Sequence, residues 1–565
     1  MTGRGLFLEW EGRKKYRQQI PTPRVLESIP ELSIDMPSDN MIIEGDNLQV
    51  MASLSSHYEG KIDVIYIDPP YNLGKDDFRY SDKRYHDPDA DNSDAVYVTN
   101  EDAGRHTKWL NAMAPRLHML WQLLDNENGV IFVSINDIEL FRLGLLLNEI
   151  FGEENHIGTI IWNGSDDNNP TRIAIEHEYI LCYARNKSKL TPVWTGRSSD
   201  AKDLMLEEYD RLREIYSDPA DIQKHLRRFI KQNKEVLGNL THYNSVDDKG
   251  IYTGSRKVHN PGRNGYFYEV IHDITHKPCT TPARGYRYPQ EAMQKLINEG
   301  KVIFGKDENQ IVQIKVYLTE ANTGLKSVIN TINSRSGANE LAALFDGDRT
   351  LFRNPKPVEL IEYLLDFATS SSSIVLDAFG GSGTTAHAVL KLNQQDEGQR
   401  RFIIIEEGNG KDKYCSSLTA ERVKRAIKKY GFKGGFQYLK AGKKLDRKAI
   451  LNMKRTSMAN LICQSDETGR GRGIARLNGN KYVIGKNHRN EAICLVWEGE
   501  ENEVTQEHLM EAAKEVTALG LKRPFRIYGT FCRIQDNSSF TFKQIPDEIL
   551  LAMHISDDLE EDAVA

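Results

Sequence analysis

The sequence predicts a doubly wound α/β fold built on a mostly parallel sheet, and three observations predict it. Short apolar runs such as Asp63-Val64-Ile65-Tyr66-Ile67 and Ser373-Ile374-Val375-Leu376-Asp377 show no polar alternation, which fits strands buried on both faces. Amphipathic helical stretches separate the runs, so strand and helix alternate along the chain. The runs end in turns rich in Asp, Pro or Gly, at the sheet edge where such folds bind ligands.

Taken in order, residues 1–40 carry prolines and little apolar periodicity, and read as an N-terminal arm. Residues 41–187 form a first half-domain. Within it, Met41 to Asp46 reads as a strand and its turn, Leu48 to His57 as a helix, and Asp63 to Ile67 as a strand. A polar loop (72–103), a helix (107–125), a strand from Gly129 to Ser134 and a helix from Ile138 to Phe151 follow. Alternation then fails across 188–345, which reads as an inserted region. It returns in 346–440: a helix at 357–369, the Ser373–Asp377 strand, a glycine-rich turn, a helix from Thr384, the strand Arg401 to Ile405, and a basic helix from Thr419 to Tyr430. Residues 441–565 read as a small α/β module with an acidic tail at 557–562.

Composition narrows the function classes. No apolar run approaches the ~20 residues of a membrane span, and the N-terminus has no signal-peptide core. The six cysteines include no CxxC pair, which argues against a zinc site or a disulfide framework and points to a reducing cytoplasm. A net charge of -7 is awkward for a nucleic-acid binder, so positive charge must be segregated onto one surface if there is one.

Asp68-Pro69-Pro70-Tyr71 stands where a buried strand ends. An aromatic amine is a poor nucleophile because its lone pair is delocalised into the ring. The Asp68 carboxylate and the Pro69 carbonyl could each accept one amino hydrogen, pull the nitrogen toward tetrahedral geometry and aim its lone pair at a methyl donor. The prolines Pro69 and Pro70 fix both acceptors beforehand. Tyr71 could stack on a base removed from a duplex. Taken alone, the same four residues would also serve as a proline-stiffened strand exit.

Asp377-Ala378-Phe379-Gly380-Gly381-Ser382-Gly383-Thr384-Thr385 joins a strand to a helix. Its glycines let backbone approach a ligand, and the helix start offers free N–H groups. It is neither a P-loop nor a full GxGxxG fingerprint, so phosphate hydrolysis is disfavoured. Glu406 and Glu407 end the next apolar strand, where a carboxylate would grip ribose hydroxyls or simply be solvated.

Together these motifs resemble the amino-group DNA methyltransferases, in which DPPY is the catalytic tetrapeptide and FxGxGT the cofactor turn. DPPY comes first, the circularly permuted β-class order. Ile43-Glu44-Gly45-Asp46-Asn47-Leu48, His177-Glu178-Tyr179-Ile180-Leu181, Gly285-Tyr286-Arg287-Tyr288, Phe304-Gly305-Lys306-Asp307 and Asn354-Pro355-Lys356-Pro357 extend the likeness to the modification subunits of type III restriction–modification systems, over about residues 40–440. The resemblance implies a Rossmann-like sheet and S-adenosylmethionine as cofactor. Phe379 would pack on its adenine, Asp377 and Gly380, Gly381, Ser382, Gly383 and Thr384 would hold the methionine moiety, and Glu406 would meet the ribose. Asp46 would meet the adenine or its amino group, and Lys356 and Pro357 would close the pocket. Thr385 and Glu407 depart from the pattern, leaving open which Glu meets ribose. His177 and Glu178 are expected to support the fold rather than act on substrate.

Adenine N6 is the expected target, because cytosine-N4 enzymes more often carry Ser where Asp68 stands. Target recognition is assigned to 188–345, with Arg227, Arg228, Arg256, Lys257 and Arg263 as candidate contacts to double-stranded DNA. The basic helix Arg422 to Lys429 is a second candidate phosphate track. Basic helices of this kind also serve as plain solvated faces. Type III modification subunits imply a homodimer, placed on the C-terminal module, and a separate restriction, helicase or defence subunit. Alternatives are cytosine-N4 methylation, methylation of RNA or of a protein glutamine, and a recognition subunit with little methylation of its own.

Overall fold

A run of apolar residues with no polar alternation can be accommodated only inside a sheet covered on both faces, and the chain places its two motif-bearing runs there. The computed structural model describes residues 8–15, 19–35, 38–75, 77–164, 172–191, 194, 200–260, 265–320, 324–407, 414–466, 474–477, 479–497 and 502–552. They form two compact units, Met1–Pro192 with Lys326–Ala565, and Val193–Leu325.

The first unit is organised by a ten-stranded sheet. In chain order its strands are β1 Arg24–Ser28, β2 Met41–Glu44, β3 Val64–Ile67, β4 Val130–Ile135, β5 His156–Trp162, β6 Glu178–Ala184, β7 Val328–Ile329, β8 Ile374–Asp377, β9 Arg401–Glu406 and β10 Gln437–Lys444. Across the sheet the order is β1-β10-β2-β9-β8-β3-β4-β6-β5-β7. From β10 to β4 every neighbouring pair is parallel. β6 runs antiparallel between β4 and β5, and β1 is antiparallel to β10.

Strand alternation sends neighbouring residues to opposite faces. Ile43, Ile65, Ile67, Ile131, Leu376 and Ile403 meet helices α1 Asn47–Tyr58, α2 Arg105–Leu123 and α3 Leu140–Phe151 in one core. Ile42, Val64, Val375, Phe402 and Ile404 are equally buried and face the other way. On that side α4 Val358–Ala368, α5 Thr384–Asp396 and α6 Glu421–Tyr430 pack in sequence.

The chain runs from β3 toward β4 on one side and from β8 toward β9 on the other, so the strand order reverses between β3 and β8. These two are direct neighbours, with Val64 opposite Val375 and Ile65 opposite Leu376. The crevice at such a reversal is the ligand position of open α/β sheets.

Three differences from the sequence reading concern edges. β1 lies inside the expected arm, β10 crosses the expected boundary at 440, and 326–345 belongs to the first unit. Edge strands such as Arg24-Val25-Leu26-Glu27-Ser28 are half polar, so composition does not separate them from loops. The supposed loop 72–103 holds a two-residue strand pair and the short helix Asp82–His86.

Residues 445–552 add a five-stranded sheet between two helices. Arg455–Ser465 covers one face through Met458 and Ile462, and Gln506–Ala518 covers the other through Leu509, Ala512 and Val516. The second unit has its own cores. Asp200–Ile215 and Pro219–Gln232 pack through Leu212, Ile222 and Leu226, beside a four-stranded antiparallel sheet. No described helix is long and apolar enough to cross a membrane. The acidic tail lies outside the described residues.

Asn40 staples the start of β2 to both neighbours: its Oδ1 accepts the Phe402 N–H at 3.0 Å and its Nδ2 donates to the Gly435 carbonyl at 2.8 Å. Asn40→Ala leaves the Phe402 N–H without this partner, while the Gly435 carbonyl keeps the Ser38 hydroxyl at 2.7 Å. A loss of about 1–3 kcal/mol is expected in the first denaturant transition.

Candidate active site

β3 ends at Ile67, and the two prolines that follow cannot continue a ladder. The exit is then clamped. The Pro70 carbonyl accepts the Trp109 indole N–H at 2.7 Å. Asn72, at φ 58°, donates its side-chain amide to Glu139 at 2.6 Å, a fully buried carboxylate that also meets His106 at 2.5 Å. The Pro70 carbonyl is thus already committed to the indole.

Beside this exit stands the Lys356 ammonium. Its Nζ is 3.1 Å from Asp68 Oδ1, and it donates to the Tyr71 hydroxyl and to Glu178 Oε2, each at 2.9 Å. The Tyr71 hydroxyl in turn donates to the same Glu178 oxygen at 2.9 Å. Burial pushes the Asp68 carboxyl up, Lys356 pulls it back, and the Glu178 charge raises it further, for a net rise. Burial alone would lower the Lys356 ammonium, but the two carboxylates outweigh it and hold it above its usual range.

β8 ends at Asp377, whose carboxylate folds the glycine turn onto itself. It accepts the Phe379 N–H at 2.9 Å and the Thr385 hydroxyl at 2.6 Å, and burial pushes it up to about 7. Gly381 and Gly383 hold φ of 49° and 81°, a region that other residues enter at a cost. A Cβ on Gly380 would lie 2.4 Å from Ile404, so only glycine passes there. The Gly381 N–H donates to Glu406 at 2.6 Å, and Thr419 donates to the Gly381 carbonyl at 2.6 Å. Beneath the turn the buried Arg422 donates to the Ser382 and Thr384 hydroxyls at 2.7 Å each.

One link runs from the turn toward the tetrapeptide: Thr384 donates to the Lys356 carbonyl at 3.2 Å. Asn47 separately ties the turn to α1 by donating to the Ala378 carbonyl at 2.9 Å. Lys356 is thus bonded to the turn by its backbone and to Tyr71 by its side chain. The two motifs stand side by side across Lys356.

Acids gather along the same edge. Asp46 caps α1 through the Gln49 N–H at 3.1 Å and pairs with Arg84 at 2.6 Å and Arg116 at 3.0 Å. Burial raises its carboxyl, and the two guanidinium groups more than reverse that. Glu407 accepts from Asn92 at 2.8 Å. This donor set fits a nucleoside sulfonium: carboxylates for vicinal hydroxyls, the half-buried Phe379 ring for a purine, and a helix N-terminus for a carboxylate.

The structure therefore brings together Asp46, Asp68, Pro69, Pro70, Tyr71, Lys356, Asp377, the residues from Phe379 to Thr384, and Glu406. Pro357 directly precedes α4 as its N-cap. Glu178, read from sequence as a fold residue, stands in the site. Its signal was the His-Glu-Tyr run, which periodicity cannot tell from an ordinary strand start. Trp109 and Arg116 had no local signal, while Asn47 and Arg422 lay in runs singled out above for a different role. The basic helix α6 is not a free track: Arg422 is fully buried, Arg425 pairs with Glu421, and Lys429 donates to the Ala343 carbonyl. In the second unit Arg227 and Arg228 are exposed, and Arg227 donates to the Asn244 carbonyl at 2.9 Å. Arg256 and Lys257 lie on the strand Gly250–Lys257. Arg263 falls outside the described residues.

A parallel sheet with an Asp-Pro-Pro-Tyr tetrapeptide and a glycine turn at one reversal point defines the amino-methylase class. The chain belongs to the DNA methylase family, matched over residues 62–417. It is 40% identical over 419 residues to the type III restriction-modification enzyme EcoP15I Mod subunit of Escherichia coli, covering 70% of this chain and 65% of that one. It is 32% identical over 417 residues to the StyLTI Mod subunit of Salmonella typhimurium (71% and 58%) and 32% identical over 436 residues to the EcoPI Mod subunit of Escherichia phage P1 (69% and 62%). The matches span less than two thirds of each relative's own length.

Because Asp377 is raised to about 7 in the fold against 3.8 unfolded, the native state holds a proton that the unfolded chain has lost between those values. Stability from this group therefore falls as pH rises from about 4 to about 7. Asp377→Asn should flatten that slope, closing or reversing its deficit by up to about 4 kcal/mol across the window in pH-stepped denaturation.

Proposed function

We propose that this chain is an S-adenosylmethionine-dependent DNA methyltransferase that modifies adenine N6, the modification component of a restriction–modification or antiphage system. One observation carries the reading: Lys356 bonds both to Tyr71 of the tetrapeptide and to Thr384 of the glycine turn, so a methyl donor and an acceptor amine would meet in one cleft. The similarity to three Mod subunits supports the system type.

When bound, the cofactor supplies a methyl carbon made electrophilic by its sulfonium. Phe379 would pack on its adenine, Glu406 would take ribose hydroxyls, and the turn from Gly380 to Thr384 would lie along the methionine moiety. Asp46 organises the adenine end chiefly by fixing Arg84 and Arg116, since its own oxygens are already bonded.

Asp68 and the Pro69 carbonyl each accept one hydrogen of the target amine, which localises the lone pair on nitrogen. Tyr71 stacks on the flipped base. As the new N–C bond forms and the methyl carbon–sulfur bond breaks, its electron pair staying on the departing thioether, the nitrogen gains positive charge and sheds one proton, which Asp68 receives. The raised Asp68 carboxyl suits that role. The exposed arginines of the Pro219–Gln232 helix supply phosphate contacts. The working form is a homodimer on double-stranded DNA with a separate restriction or defence partner, in a cytoplasmic setting.

Wild-type protein given tritiated S-adenosylmethionine and unmethylated DNA should transfer label, with N6-methyladenine as the only modified nucleoside by mass spectrometry. Asp68→Ala should cut transfer by about 10³-fold or more while calorimetric cofactor affinity changes little. No transfer by the wild type overturns the reading. Separately, Arg227→Gln with Arg228→Gln should weaken binding to all DNA sequences alike and lower the salt slope by about one to two units.

A further inference from the structure

The residues so far given to chemistry leave Glu178 without a task. Glu178 opens β6, the strand that runs antiparallel beside β4, and its carboxylate reaches the tetrapeptide from a third direction. It makes no backbone cap there. Its Oε2 accepts from the Tyr71 hydroxyl and from Lys356 Nζ, each at 2.9 Å, while Lys356 also donates to that hydroxyl at 2.9 Å. The three polar atoms close a triangle.

We propose that Glu178 is the positioning residue of this site: through that triangle it fixes the Tyr71 ring and holds the Lys356 ammonium against Asp68 before a base arrives. This rests on the methyl-transfer reading and deepens it.

Two consequences of geometry support the assignment. A tyrosine ring turns about two side-chain bonds, and a hydroxyl held by two partners removes that freedom at the far end of the ring. The stacking surface is then set in advance. Asp68 is oriented by the same means. Its Oδ1 is closed off from solvent and faces Lys356, so any oxygen of this carboxylate open to a substrate is Oδ2. Remove Glu178, and the ammonium keeps Asp68 and the Tyr71 hydroxyl but loses the carboxylate that fixes its place between them.

The charge count changes too. Asp68 and Glu178 share one buried cation, with Tyr66 and Tyr71 at the β3 exit, and Asp377 at the end of β8, as the other titratable groups facing them. Neutralising Glu178 removes a like charge that raises Asp68 and leaves Lys356 to Asp68 alone. Asp68 then ionises at lower pH.

The test compares wild type, Glu178→Gln, Glu178→Asp, Tyr71→Phe and the Glu178→Gln/Tyr71→Phe double variant in tritium transfer to unmethylated DNA. Glu178→Gln should lower kcat by about 10- to 100-fold with KM for S-adenosylmethionine within about threefold. Its acid limb should move to lower pH by about one unit. Glu178→Asp should recover part of the rate. The double variant should be little slower than Glu178→Gln, because both changes break the same bond. If wild type transfers methyl and Glu178→Gln matches it in rate and acid limb, this inference is wrong and the methyl-transfer reading stands. If wild type is inert, both fall. Should Glu178→Gln fail to fold, Tyr71→Phe decides alone: a reduced kcat at unchanged KM supports the proposal, and wild-type kcat overturns it.

Discussion

The pairing of β3 with β8 is the constraint on which the first unit depends. Val64 and Val375 sit opposite one another across a long intervening stretch of chain, and Asp63 reaches over to accept the Ile374 N–H at 2.7 Å. Loop-closure entropy grows only slowly with length, so the long connection is affordable once the strands are fully buried. No local interaction could substitute. Each motif sits on its own strand, and the lateral hydrogen bonds between those strands, with the Lys356 bridge, place the tetrapeptide beside the glycine turn.

Upon that pairing the edge carries more acid than base. Asp68, Glu178, Asp377, Asp46, Glu406 and Glu407 line it, and Lys356, Arg84, Arg116 and the buried Arg422 are set among them. Paired carboxylates such as Asp46 are held low by guanidinium groups, whereas Asp377, bonded only to neutral donors, is left high. Position, rather than residue type, separates a structural acid from one that can accept a proton.

Much of the central fold was legible in the sequence. β2, β3, β4, β8 and β9 announce themselves because strands covered on both faces keep polar residues almost wholly to their ends. β1 and β10, half polar at the sheet's edge, look like linker. In the site, Asp68 to Tyr71 and Phe379 to Thr384 are contiguous and so are visible as motifs. Glu178 belongs to a strand start nearly 110 positions from Tyr71, and Arg422 sits in a helix whose other basic residues are surface residues. Their roles arise from contacts across the fold, which no window of sequence contains.

The arrangement of β10 bears on how this protein can be dissected. A fragment stopping after α6 would retain each recognisable motif residue, yet β2 would lose a parallel neighbour and β1 its only strand neighbour among the described residues. The smallest piece able to hold the cleft must run through Lys444. Beyond that, residues after 444 lean on Val25 of β1, so trimming the C-terminal module exposes apolar surface on the same strand. Deletion mapping of this protein would therefore report loss of the sheet's edge well before it reported loss of chemistry.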